Sequence, residues 1–210
     1  MVMGKRAPVF DEILQDYLSQ ITIKKDGPRK AAILGIHIEE DNYRIPFFNR
    51  VYTLTPTGIT DDHGEMHHHA INVILCKYLL LCPVPGTGDS SPGGSELVTY
   101  KDFRDAAPYA GGFMSSAEQP IAGYFEGKIE KFQERCRRLG GELFDTDVAC
   151  QCAYKFSALP KVPIYLMFND ADEDFPADCT LLFQRDAANY LDMECIAMVG
   201  SVLAVWLKES

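Results

Sequence analysis

The segment Val162-Pro163-Ile164-Tyr165-Leu166-Met167-Phe168 constrains the fold more than any other stretch of the chain. It is apolar at every position, without polar residues at alternate places, so a strand made from it buries both faces. Such a strand belongs in the interior of a sheet, with packed side chains above and below it. The rest of the 210-residue chain has to supply those covering layers, and it is long enough to build a core.

Helical layers are legible at four places. Residues 8–20 repeat apolar side chains at Val9, Ile13, Leu14, Tyr17 and Leu18, and KDGPRK follows as a break. After TDDHGEM, in which Asp61 or Asp62 can cap orphan amides, Ile71, Ile74, Leu75, Tyr78 and Cys82 fall on one helical face. The clearest pattern runs from Pro120 to Leu139 through Ile121, Tyr124, Phe125, Ile129, Phe132 and Cys136. Pro120 suits the first turn, Arg137 and Arg138 the negative end, and Gly140 the position just past it. A fourth helix closes the chain, with Asp192 as its cap and Ile196, Val199, Leu203, Trp206 and Leu207 as its buried face.

Extended pieces are expected near 31–38, 43–47 and 50–54, turning at EEDN and NR, which makes a meander. Pro46 favours an edge or a bulge there. LVTYKDFRD reads as a short strand followed by a turn, and a further strand is expected near 153–157. PVPGTGDSSPGGSE reads as a long loop. The predicted architecture is α+β: a single domain over residues 1–210, with a mostly antiparallel or mixed sheet packed against several helices.

A formal charge of −10, with no Lys/Arg stripe, argues against nucleic acid and against an anionic membrane surface. The most apolar stretch, INVILCKYLLLCPV, is interrupted by Lys77 and falls short of the roughly 20 residues that span a bilayer. The N-terminus carries no apolar run of the kind a secretory signal needs. Seven cysteines, an odd number, suit free thiols in a reducing cytoplasm better than a disulfide framework.

The acidic stretch FNDADEDFPAD spaces Asp170, Asp172, Asp174 and Asp178 like positions 1, 3, 5 and 9 of a calcium loop. The turn glycine is replaced by Phe175 and the closing glutamate by Leu181, so a solvated bend is the stronger reading. In that bend Phe175 turns inward and Pro176 fixes the direction. Asp170, Asp172 and Asp174 remain the candidates for ligand binding. In HGEMHHH the glutamate is misplaced for H-E-x-x-H, and His63 and His67 are the two that share a helical face. They are the weak candidates for a metal, with His37 or His67 placed near Asp172 and Asp174 as the arrangement a metal enzyme would need. Cys150 and Cys152 are one residue apart and no C-x₂-C occurs, so no iron–sulphur cluster is expected in this chain. GTGDSSPGG lacks the GK[ST] ending of a phosphate loop.

The pieces KVPIYLMF, Asp172 with Asp174-Phe175-Pro176, LLF at 181–183 and Tyr190-Leu191-Asp192 resemble the end of an uncharacterised bacterial and archaeal family, a domain of unknown function. ILCKYLLLCPVPG, LVTYKDFRDA and Leu139-Gly140-Gly141 extend the resemblance over residues 65–207. Some members carry an iron–sulphur-binding label because a separate cluster domain is joined to them. The cysteine run of that domain is absent here, Phe168 stands where the family has Trp, and Gln184 where it has an acid. The resemblance implies a binding or accessory domain with an unknown protein or small-molecule partner, placed beside redox or cofactor metabolism. The alternative is a metal-dependent enzyme using the 170–178 carboxylates with a histidine, and a thiol-based enzyme is a third reading.

Overall fold

The computed structural model describes residues 8–63, 69–84 and 96–209. Both β-sheets are antiparallel. The first is a meander of β1 (His37–Glu39), β2 (Asn42–Phe47), β3 (Arg50–Thr55) and β4 (Gly58–Asp61). The second has the order β5-β9-β8-β7-β6, with β5 Leu97–Thr99, β6 Glu142–Leu143, β7 Cys152–Leu159, β8 Val162–Asn169 and β9 Asp178–Gln184. The all-apolar segment is therefore the middle strand, as expected. The strand at 178–184 is absent from the sequence reading, because its alternation (Cys179, Leu181 and Phe183 inward) lies directly behind an acidic loop.

In the meander, period-two alternation buries Tyr43, Ile45 and Phe47 on β2, and Tyr52 and Leu54 on β3. Glu40 and Asp41 both take positive φ (50° and 59°), the mirror-image turn that suits the twist of a two-residue hairpin. β1 reaches only Arg44 on β2, so Pro46 sits where β2 has no neighbour on that side. At the next turn the Phe48 N–H donates to Ala158 O of β7 at 2.9 Å. That bond joins the two sheets at a register shift in β7 between Phe156 and Leu159.

α1 (Pro8–Gln20) matches the sequence pattern, with Leu14 and Leu18 buried. KDGPRK does not break the chain: it lies inside α2 (Ile23–Leu34), which occupies part of the range expected as strand. Asp26 pairs with Lys30 one turn on at 3.3 Å, and Ala31 and Leu34 are buried, so packing outweighs the cost of Pro28. Gly35, at φ 68°, ends the helix. α3 (His69–Leu80) buries the expected face, and Tyr78 Oη donates to Leu34 O at 2.7 Å while accepting the Lys161 N–H at 3.2 Å. One phenol thus joins α3, α2 and the β7–β8 turn.

The long helix expected from Pro120 is divided and displaced. A helical run begins at α4 (Ala110–Phe113), widens into a π turn (Met114–Glu118) and continues as α5 (Gln119–Phe125). The wide turn falls where a regular helix would meet the Pro120 ring, which crowds the carbonyl four residues back. Gly127, at φ 67°, then breaks the run before α6 (Ile129–Arg138). Past α6, the N–H groups of Gly140 and Gly141 donate to Arg137 O and Cys136 O at 3.0 and 2.8 Å, the two bonds of a Schellman cap.

α7 (Met193–Glu209) packs against α3, α6 and the helical run. Asp192 Oδ1 accepts the Cys195 N–H at 2.9 Å, the expected cap, and its other oxygen pairs with Lys77 at 3.3 Å. A Cβ on Gly200 would stand 2.6 Å from the Phe113 ring, so glycine there lets the end of α4 approach α7 closely. Ser116 and Ser201 hydroxyls meet across that contact at 2.8 Å. Among the described residues no helix is long and apolar enough to cross a membrane.

Candidate functional site

β5 pairs with β9 only at Leu182, Phe183 and Gln184, which leaves the first half of β9 without a strand neighbour on that side. The helical run covers the gap. Glu118, the last residue of the π turn, accepts the Leu181 N–H on Oε1 at 3.0 Å, so a carboxylate stands in for the missing ladder bond. In front of it lies a cleft of about 360 Å³, walled by Tyr100, Phe113 and Met114, with Glu118 and Thr180 inside and Lys101 along its lining. Phe113 stacks on Tyr100 at 4.3 Å, and Tyr100 Oη donates to Met193 O at 2.8 Å, so these two buried rings are held in place behind the exposed Met114.

Burial pushes the Glu118 carboxyl above the usual carboxylate range. The Leu181 N–H pulls it back, Asp178 adds to the rise and Lys101 opposes it. The result is a half-buried acid with one oxygen held and the other open to a ligand. Sequence reasoning did not find Glu118. Its only trace is Glu-Gln-Pro within a helical pattern, and that spacing shows neither the wide turn nor the strand edge it faces.

The acidic loop forms a second cleft, of about 450 Å³, lined by Gln151, Asn169, Asp170, Asp172, Phe175 and Asp178 among others. Asp170 Oδ1 accepts the N–H groups of Gly127 and Ala171, and Asp172 Oδ1 those of Asp174 and Phe175 at 2.9 and 2.8 Å. Two of the three candidate aspartates therefore each use an oxygen to shape the backbone. Asp174 is exposed and does not line the cleft. Phe175 is 70% exposed, contrary to the expectation that it turns inward. The Asp172 turn closes with the Asp172 N–H on Phe175 O at 2.9 Å, and this local ring projects the side chain into solvent.

His63 is exposed beside Asp61, whose Oδ1 accepts its N–H at 2.9 Å, and both line a polar cleft with Asn49, Arg50 and Asp62. His67, Glu65 and His68 lie outside the described residues, as does most of the glycine-rich loop (85–95). His37 is exposed on β1, in the other sheet from the acidic loop. Among the described residues no group of three or more His, Cys, Asp or Glu is arranged to hold a metal ion. All seven cysteines are free. Burial pushes the Cys76 thiol up to about 12, and those of Cys82, Cys136, Cys150, Cys179 and Cys195 upward as well. A thiol held protonated is a poor nucleophile.

Residues 26–206 match the model of a family described as Domain of unknown function (DUF3786), which extends the resemblance from residue 65 back into α2. No curated protein and no solved structure matches the chain.

Proposed function

We propose that this chain, which belongs to the DUF3786 family of domains of unknown function, is a cytoplasmic accessory domain that binds a small molecule without transforming it. The observation that carries the reading is Glu118: a half-buried carboxylate, anchored by one oxygen to the edge of β9, facing a cleft backed by the buried Tyr100–Phe113 stack. Convergent polar groups on an apolar wall fix a ligand's orientation, and a π turn commonly marks such a place. Six thiols held protonated speak against nucleophilic chemistry, and seven free thiols suit a reducing compartment. The cysteines form no C-x₂-C or other chelating run along the sequence, which supports a chain without an iron–sulphur cluster of its own. The metal-enzyme alternative has less support, since Asp170 and Asp172 are engaged by backbone amides.

The test is a fragment panel followed by amide chemical-shift mapping on isotope-labelled protein. The expected result is saturable binding that perturbs Ala110–Met114 and Thr180–Leu181, with every fragment recovered unchanged. Hits mapping to the acidic loop or the His63 cleft instead, or turnover of a fragment, would overturn the reading.

A further inference from the structure

Two opposite charges share the Glu118 cleft: Lys101 lies near enough to favour the Glu118 charge, yet neither makes a salt bridge with any described residue. Lys101, exposed in the turn Tyr100–Asp102 after β5, makes no ion pair or hydrogen bond with any described residue. Glu118 Oε2 likewise accepts no hydrogen bond from the described residues, Oε1 being taken by Leu181. Thr180 Oγ1 donates weakly to Asp178 at 3.5 Å and keeps its lone pairs for a donor arriving in the cleft. The wall supplies apolar surface but no hydrogen-bonding group, because the Tyr100 hydroxyl is committed to Met193.

A half-buried carboxylate is costly to keep ionised unless a cation or donor reaches it. A simple amine would satisfy Glu118 but bring a second positive charge toward Lys101. A simple acid would pair with Lys101 but set its own charge against Glu118. A molecule carrying both charges, separated by a few atoms, satisfies the two residues together and repels neither. We propose that the cleft takes a small zwitterionic amino acid with an apolar side chain. Its ammonium donates to Glu118 Oε2 and Thr180 Oγ1, its carboxylate accepts from Lys101 Nζ, and its tail lies along Met114, with the buried Tyr100–Phe113 stack behind it. This identification of the ligand class rests on the binding function proposed above.

The probes are L-norleucine, pentylamine (norleucine without its carboxylate) and hexanoate (norleucine without its ammonium). Each is titrated into the full chain while the amides of Ala110–Met114 and Thr180–Leu181 are followed. Norleucine is expected to bind at least tenfold more tightly than either analogue. Glu118→Gln should bring norleucine down to the affinity of hexanoate, and Lys101→Gln to that of pentylamine. Both side chains are replaced by neutral amides, and the Glu118→Gln variant retains an oxygen for the Leu181 N–H, so the fold is kept; unchanged amide dispersion checks this. If an analogue binds in the cleft as tightly as norleucine, the zwitterion assignment falls while the binding function stands. If norleucine leaves the cleft amides unmoved, the assignment falls outright, and the fragment panel alone decides the function.

Discussion

The N–H of Gly127 donates to Asp170 Oδ1 at 2.6 Å, and that oxygen also accepts the Ala171 N–H at 2.9 Å. Gly127 is the break between α5 and α6, and Asp170 opens the acidic loop as the chain leaves β8. The first acid of the loop therefore holds a helix corner far away in sequence. A hydrogen bond to a charged acceptor is worth about 1.5–3 kcal/mol, so Asp170→Ala should destabilise the protein by about 2 kcal/mol in urea unfolding. Asp170→Asn keeps an acceptor oxygen and should recover most of this. An alanine variant within about 0.5 kcal/mol of wild type would mean the corner is held by something else.

Phe175 reverses an expectation. Buried, its truncation to alanine would cost about 3 kcal/mol. At 70% exposure it forfeits little packing, and Phe175→Ala should stay within about 0.5 kcal/mol of wild type in the same urea experiment. A loss near the larger figure would mean that the ring is covered in solution.

Glu118 makes stability depend on pH in a defined sense. Its carboxyl is raised in the folded protein by burial, so the folded state holds its proton to higher pH than the unfolded state does. The cost of ionising it is absent below the ordinary glutamate range and grows as pH rises through that range to the raised value. The facing groups are the Leu181 N–H and Lys101, which favour the charge, and Asp178, which disfavours it. Glu118→Gln removes the titration while keeping an acceptor for Leu181. Its melting temperature should match wild type in acid and exceed it at neutral pH, and a constant difference across the range would contradict the account.

The thiols should separate by access. Cys150 is the one cysteine not buried, and the other six are. A maleimide reagent should label Cys150 first in the native protein, slowly because burial still raises its thiol, and all seven after unfolding without reductant. Five or fewer labelled sites in the unfolded chain would reveal a native disulfide.

Local signals reported the elements whose buried face is written along one segment. The apolar run 162–168 specified a middle strand, and the three- and four-residue spacing in α3 and α7 specified their inward faces. Gly140 and Asp192 were legible as caps because capping is a backbone requirement met within a few residues. α2 was not legible: Asp26, Gly27 and Pro28 are turn-formers, and only the burial of Ala31 and Leu34 against other elements keeps them helical.

The candidate site belongs almost wholly to tertiary structure. Asp170, Asp172 and Asp174 stand out in sequence because they crowd together, yet two of them serve backbone amides of their own loop and of the α5–α6 corner. Glu118, Lys101 and Thr180 lie in three separate segments and mean nothing until β5 stops short of the start of β9 and the helical run fills the gap. A single sequence carries the periodicity of each element, because each side chain alternates or repeats relative to its own backbone. Which carboxylate loses its water and which stays solvated depends on what other elements bring beside it, and that was decided only when the two sheets and α7 packed together.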